Sequence, residues 1–234
     1  MSSSSTTHTM TDLTGQVFGQ FKLVDVLGAG SFGKVYLAQE VVTDELFAVK
    51  CMPLHEEASH DELAQQAELA THDKVANHPN IISLVDAFST DEYLFVVLEY
   101  APGGTLADAI VEGQRFRGEP ELVKDAMNQL IDAVEYMHDK SVYHRDLKPE
   151  NILADEDEST LRIADFGLAT ESSITQNVCG TRPYMTPETF DEDCEYHSPE
   201  DADKWALSMI FANLISGRML WIEPVPSDEH FAAF

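Results

Sequence analysis

The 234-residue chain reads as an α+β protein, β-rich in its amino-terminal part and helical in its carboxy-terminal part. Three observations predict this. Between Phe21 and Leu98, short apolar runs of strand length recur, punctuated by Gly, Asp and Thr turns. After Gly103-Gly104 the apolar positions take a helical period: Val123, Met127, Leu130, Ile131, Val134 and Met137 fall on one face. The 44% hydrophobic content is also too high for a disordered chain, although 42 acidic and 14 basic side chains leave a formal net charge of −28.

The elements follow in order. Residues 1–17 are Ser/Thr-rich and read as a disordered tail before a single folded domain, 18–234. Strands are expected at Phe21–Leu27, at Val35–Gln39 after a glycine turn, and at Leu46–Met52. Ser59 and Glu62 make a capping box that starts a helix running to about Val75. Two more strands are expected at Ile81–Val85 and Leu94–Leu98, closing a lobe over 18–98. A hinge at 99–104 leads to a second lobe, 105–234, with a helix at 121–138. Short strands at Ile152-Leu153 and Leu161–Ile163 are joined by the solvated acidic turn Asp155–Glu158. The 200–216 segment is apolar on nearly every side, so its helix must sit inside something.

Charge excludes several classes of function. Too few Lys and Arg are present to build the basic face that nucleic acid or an anionic membrane requires. Cys51, Cys179 and Cys194 are sparse, odd in number and without metal-ligand spacing, which points to a reducing compartment, cytoplasmic or nuclear. No secretory signal, myristoylation site or run of transmembrane length is visible.

Leu27-Gly28-Ala29-Gly30-Ser31-Phe32-Gly33-Lys34-Val35 contains three glycines in G-x-G-x-x-G spacing. By itself the pattern fits a dinucleotide-binding turn as well as a glycine hairpin. A dinucleotide loop opens a helix, whereas Val35-Tyr36-Leu37-Ala38 continues as a strand. A glycine hairpin lets backbone N–H groups approach phosphate without interference from Cβ atoms. Lys50, in Ala48-Val49-Lys50 on the next strand, is either a snorkelling edge lysine or a phosphate ligand.

His144-Arg145-Asp146-Leu147-Lys148-Pro149-Glu150-Asn151, followed by Asp165-Phe166-Gly167, resembles the catalytic loop and metal-binding motif of protein kinases. Cys179-Gly180-Thr181 and Thr186-Pro187-Glu188 resemble the end of the activation segment in the same family. The resemblance covers about Phe21 to Ser216 and implies a bilobal protein-kinase-like fold that binds ATP and Mg²⁺. It further implies that Asp146 orients the acceptor hydroxyl and takes its proton, that Lys148 lies beside the γ-phosphate, and that Asn151 and Asp165 hold Mg²⁺. Lys50 would bind the α- and β-phosphates, paired with a helix glutamate. Leu69 stands nine residues before His78-Pro79-Asn80, where relatives carry that glutamate, so Glu68 is the expected partner. Residues 27–35 would cover the nucleotide. Val35 and Ala48 would pack on adenine, Leu98 would be the gatekeeper, and the Glu99 carbonyl and Ala101 N–H would bond the adenine edge.

Lys148-Pro149-Glu150-Asn151 and Thr181 resemble the Ser/Thr branch of the family. Finer features, Glu68-Leu69-x-x-His72 and Asp203-x-Trp205-Ala206-Leu207, are similar to fungal kinases of the meiosis-repressing, nutrient-responsive group. Substrates would be proteins with basic residues near the acceptor, given Glu150 and the −28 charge. Arg145 suggests control by a phosphate on the activation segment. Asn177 stands where relatives carry the phospho-threonine, so Ser172, Ser173 or Thr175 would have to serve. The chain ends before the last helices of the family's second lobe. That implies an incomplete lobe, an exposed apolar patch near Trp221 and the 205–215 helix, and no basic partner for Glu188. The alternative function is therefore a weakly active or inactive kinase-like chain that binds nucleotide or a protein partner over that lobe.

Overall fold

A computed structural model of the protein describes residues 11–30, 33–54, 60–111, 115–157, 159–191 and 193–233, the side chains of 60–64 aside. The chain divides into two compact units: residues to Glu62 with Leu84–Tyr100, and Leu63–Ser83 with Ala101 onward.

The first unit is one antiparallel sheet of six strands, in the order β1-β2-β3-β4-β6-β5. The strands are β1 (Val17–Phe18), β2 (Phe21–Gly30), β3 (Gly33–Glu40), β4 (Leu46–Pro53), β5 (Leu84–Ser89) and β6 (Tyr93–Glu99). Alternation turns Phe21, Leu23, Tyr36, Ala38, Val49, Cys51, Phe95 and Val97 into one core. Phe95 packs against Phe18 and Phe88 with ring centroids 4.5 and 5.1 Å apart. The packed chain starts earlier than the tail boundary at residue 17 allowed. Leu13 is buried in this core, and its N–H donates to the Tyr36 hydroxyl at 3.1 Å. An apolar anchor with a hydrogen-bonded backbone outweighs the polar composition around it.

Helix α1 (His60–Val75) starts where the capping pattern places it, although Ser59 lies outside the described residues. The strand expected at Ile81–Val85 is corrected. Ile81 and Ile82 are buried in the second unit, where Ile82 N–H donates to Ile163 O and Ile163 N–H to Asn80 O, both at 2.9 Å. Their pairing across more than eighty residues splits the apolar run, and β5 begins only at Leu84.

The second unit continues with α2 (Leu106–Val111), α3 (Pro120–Asp139), the hairpin β7 (Ile152–Ala154) and β8 (Leu161–Ile163), α4 (Pro199–Ser216) and α5 (Glu229–Ala232). Pro120 at the first turn suits α3, which buries Val123, Ala126, Leu130, Ala133, Val134 and Met137. Helix α4 opens on Ser198, whose side chain accepts from the Asp201 N–H, and ends at Gly217 in the left-handed conformation, φ 69°. No described helix is long and apolar enough to cross a membrane.

The apolar patch expected near Trp221 and the 205–215 helix is present around it, at Met219 and Ile222, but Trp221 itself is covered. Trp221 is only 4% exposed; its indole N–H donates to Pro183 O at 3.2 Å, and its ring meets Phe231 edge-on at 5.0 Å. On α4 the exposed apolar residues are Phe211 and Ile215, within the expected stretch.

Candidate active site

In the first unit, the glycine segment folds as a hairpin and not as the start of a helix. Gly28 pairs with Val35, Ala29 with Lys34 and Gly30 with Gly33 across β2 and β3, with a bulge between Val26 and Gly28. Ser31 and Phe32 lie outside the described residues. Gly33 has φ 140°, and a Cβ there would fall 2.1 Å from Cys51 O, so only glycine fits. On β4, Ala48 lies opposite Leu98, and Lys50 opposite Val35 and Val96. Both Ala48 and Lys50 are 8% exposed. A lysine so buried in mid-sheet is no snorkelling edge residue.

In the second unit the loop after α3 is held from below by one carboxylate. Asp203 of α4, 1% exposed, accepts from the backbone N–H groups of His144 and Arg145, both at 2.8 Å, and from His138 Nε2 at 2.9 Å. Those bonds stabilise a backbone that would otherwise be strained, since Arg145 has φ 66°. Arg145 Nε donates to Leu168 O at 2.7 Å, and His144 Nε2 to Ala164 O at 3.0 Å.

Above that base the polar groups converge on Asp146. Lys148 Nζ donates to Asp146 Oδ2 at 2.8 Å and to Thr181 Oγ1 at 2.7 Å. The Thr181 hydroxyl in turn donates to Asp146 Oδ1 at 2.7 Å. Asn151 Nδ2 donates to the Asp146 carbonyl at 2.9 Å and to Oδ2 at 3.2 Å. The carboxylate is thus oriented by a cation, a hydroxyl and an amide. Gly180, φ 111°, permits the approach, because a Cβ there would lie 2.6 Å from Arg145 O.

Asn151 and the segment before Asp165 are tied together. Ala164 N–H donates to Asn151 O at 2.9 Å, and Asp165 follows with φ 62°. Phe166, fully packed, stacks on His72 at 4.5 Å and meets His144 edge-on at 5.1 Å. His72 lies one turn after Glu68 on α1, and its Nε2 donates to Ile82 O at 2.7 Å.

Beyond Phe166 the chain is fastened at two points. Lys74 pairs with Glu171 at 2.8 Å, and Thr175 and His197 exchange backbone hydrogen bonds of 3.0 and 2.8 Å. Glu188 makes no ion pair with another described residue. Arg182, beside Thr181, pairs with Glu223 at 2.8 Å and lies over the Phe190 ring, 5.4 Å from its centroid.

The structure therefore brings together Asp146, Lys148, Asn151 and the start of Asp165-Phe166-Gly167 in one unit, and the glycine hairpin, Ala48 and Lys50 in the other. Sequence reasoning did not assign site roles to Thr181 and Asp203. Each sits in a motif quoted above, but its contact with the loop spans 35 or 58 residues.

A glycine hairpin beside a buried lysine, and a clamped Asp–Lys–Asn loop, are the parts expected of a protein-kinase-like fold. Comparison with known proteins agrees. The family described as "Protein kinase domain" matches residues 21–232. "Negative regulator of sexual conjugation and meiosis" of Schizosaccharomyces pombe is 37% identical over 231 residues, covering 89% of this chain and 49% of that protein. "Serine/threonine-protein kinase ksp1" of the same organism is 35% identical over 227 residues, 92% of this chain and 47% of that protein. "CBL-interacting protein kinase 9" of Oryza sativa subsp. japonica is 34% identical over 213 residues, 88% and 45%. The chain belongs to the protein kinase family, and it spans about half the length of these curated relatives.

Proposed function

We propose that the chain transfers the γ-phosphoryl group of Mg-ATP to Ser and Thr hydroxyls of proteins. The observation that carries this reading is the Asp146 carboxylate, held by Lys148, Thr181 and Asn151. An acceptor hydroxyl donating to Asp146 loses its proton there as its oxygen bonds to phosphorus, and the bond from phosphorus to the β-phosphate oxygen breaks to release ADP. Lys148, bonded to Asp146 and Thr181, would offset charge on the transferring group.

Two oxygen donors suit Mg²⁺. Asn151 spends its amide N–H groups on Asp146, which leaves its carbonyl oxygen for a cation, and Asp165 supplies a carboxylate. When bound, the metal neutralises phosphate charge. The burial of Lys50 on β4 supports its assignment to the α- and β-phosphates, with Glu68 as its partner by resemblance. Residues 27–35, Ala48, Glu99 and Ala101 complete the nucleotide-binding set by resemblance.

Exposed Glu150 and the net charge of −28 favour substrates with basic residues near the acceptor. The free thiols of Cys51, Cys179 and Cys194 support a cytoplasmic or nuclear location. A second reading, binding with little transfer, is favoured by exposed Phe211 and Ile215, which a protein partner would cover.

Radiolabel transfer from Mg-ATP to a generic protein substrate tests the first reading. Asp146→Asn should lower kcat by ~10²-fold or more with nucleotide binding retained. A variant keeping over about a tenth of wild-type kcat would remove Asp146 from its role. Nucleotide binding by a wild-type protein that labels nothing would select the second reading.

A further inference from the structure

We propose that Arg182 reads a carboxylate side chain next to the acceptor Ser or Thr in the substrate. The proposal rests on the phosphotransfer reading and adds a specificity-determining residue to it. Arg182 directly follows Thr181, whose hydroxyl lies 2.7 Å from both Asp146 Oδ1 and Lys148 Nζ. A hydroxyl accepted by Asp146 therefore comes within a residue or two of Arg182, since neighbouring Cα atoms are only ~3.8 Å apart. A side chain flanking the acceptor lies within reach of an extended arginine.

The arginine is also fixed and available. Its Nε pairs with Glu223 Oε1 at 2.8 Å, and the guanidinium lies over the Phe190 ring, which together restrain the planar fork. The side chain stays 62% exposed, and it donates no hydrogen bond to another described residue, so its remaining N–H groups can meet a carboxylate. A half-exposed surface ion pair adds little to folding, so stability alone gives weak reason to hold a cation beside the catalytic loop. The protein carries three acidic side chains for each basic one, 42 against 14. An exposed arginine one residue from Thr181 is therefore uncommon on this surface.

Glu150, on the catalytic loop itself, is exposed. The pair of charges defines a substrate of two-sided character, with a basic side chain toward Glu150 and an acidic one toward Arg182. This differs from a purely basic recognition sequence.

The test uses the intact chain with Mg-ATP and peptides sharing one acceptor Ser among neutral residues. Asp replaces each of the two positions on either side in turn, and kcat/KM is expressed as a ratio to the all-neutral peptide within the same protein. In the wild type, one flanking position should raise that ratio about two- to fivefold, the order expected of an ion pair at a solvent-exposed site. Arg182→Ala should bring the ratio to about one, and Arg182→Glu should transfer the preference to a Lys peptide. An Asp preference that survives in Arg182→Ala, or a wild type that favours no Asp position, overturns the proposal. If the wild type labels no peptide, the phosphotransfer reading fails separately. Fluorescence anisotropy of the same labelled peptides then decides on Arg182 by whether the binding preference for Asp is present and lost in Arg182→Ala.

Discussion

Asp203 is where removal of one carboxylate should cost most. It is 1% exposed and accepts three hydrogen bonds, two from the backbone of the catalytic loop and one from His138. Asp203→Ala strands the N–H groups of His144 and Arg145, which have no other acceptor among the described residues. Each stranded buried donor costs ~1–3 kcal/mol. The pair thus forfeits about 2–6 kcal/mol, a large share of the ~5–15 kcal/mol that holds a typical domain together. Asp203→Asn keeps the shape but offers one acceptor oxygen where two were used, so it should cost about half as much. Activity should fall further than stability, because Arg145 at φ 66° loses the bonds that hold Asp146 in place. The assays are urea unfolding of both variants and phosphate transfer under conditions where each remains folded. Asp203→Ala unfolding within ~0.5 kcal/mol of wild type, the scatter of neutral surface changes, would refute the claim that this carboxylate anchors the loop.

Further outcomes are expected. Thr181→Val should lower kcat by about tenfold or more while Thr181→Ser stays close to wild type, because only the hydroxyl bonds Asp146 and Lys148; steady-state kinetics with equal kcat for both variants would contradict this. Mg-ATP at a hundredfold excess over Kd should stabilise the fold by ~2.7 kcal/mol, and Lys50→Met should shrink the thermal shift; no shift in the wild type would count against the nucleotide site. Burial pushes the Cys51 thiol up to about 12, so at pH 8 only ~10⁻⁴ of it is thiolate and iodoacetamide should leave it unmodified while it labels Cys194. Mass spectrometry finding Cys51 alkylated in the native protein would show that β4 opens.

What could be read ahead of the structure was what is local. The run from His144 to Asn151 carries a turn, a carboxylate and two of its hydrogen-bond partners within eight positions, so the cluster is visible without knowledge of the fold. The β2–β3 hairpin was legible for the same reason, as glycines lie between two alternating strands. Contacts that close over long separations were not. Periodicity marks Ile81 and Ile82 as buried but cannot say that β8 receives them. Composition labels residues 1–17 polar and hides Leu13, whose value lies in a hydroxyl on Tyr36, 23 residues on. Thr181 looks like one more activation-segment residue until its oxygen is seen between Asp146 and Lys148.

Helix α4 shows the same limit in energetic form. An apolar pattern on nearly every side states that cover is needed, not where it comes from. Trp205 and Trp221 pack with centroids 6.4 Å apart, and Phe231 closes on Trp221, so the chain after α4 returns over that side. The return is held by Asp228, whose carboxylate accepts from the N–H groups of Ile222, Glu223, His230 and Phe231 and is drawn below its ordinary range by those bonds. Along the other side, Leu207, Phe211 and Ser208 of α4 face Met127 and Ile131 of α3 across a groove of about 570 Å³. Phe211 is 45% and Ile131 39% exposed there. Full cover would be worth ~1.5–3 kcal/mol for each large side chain it removed from water. The apolar surplus that the sequence announced is real: it lies along α3 and α4 and at Met219 and Ile222, while Trp221 itself, with both a ring partner and a carbonyl for its N–H, is already satisfied.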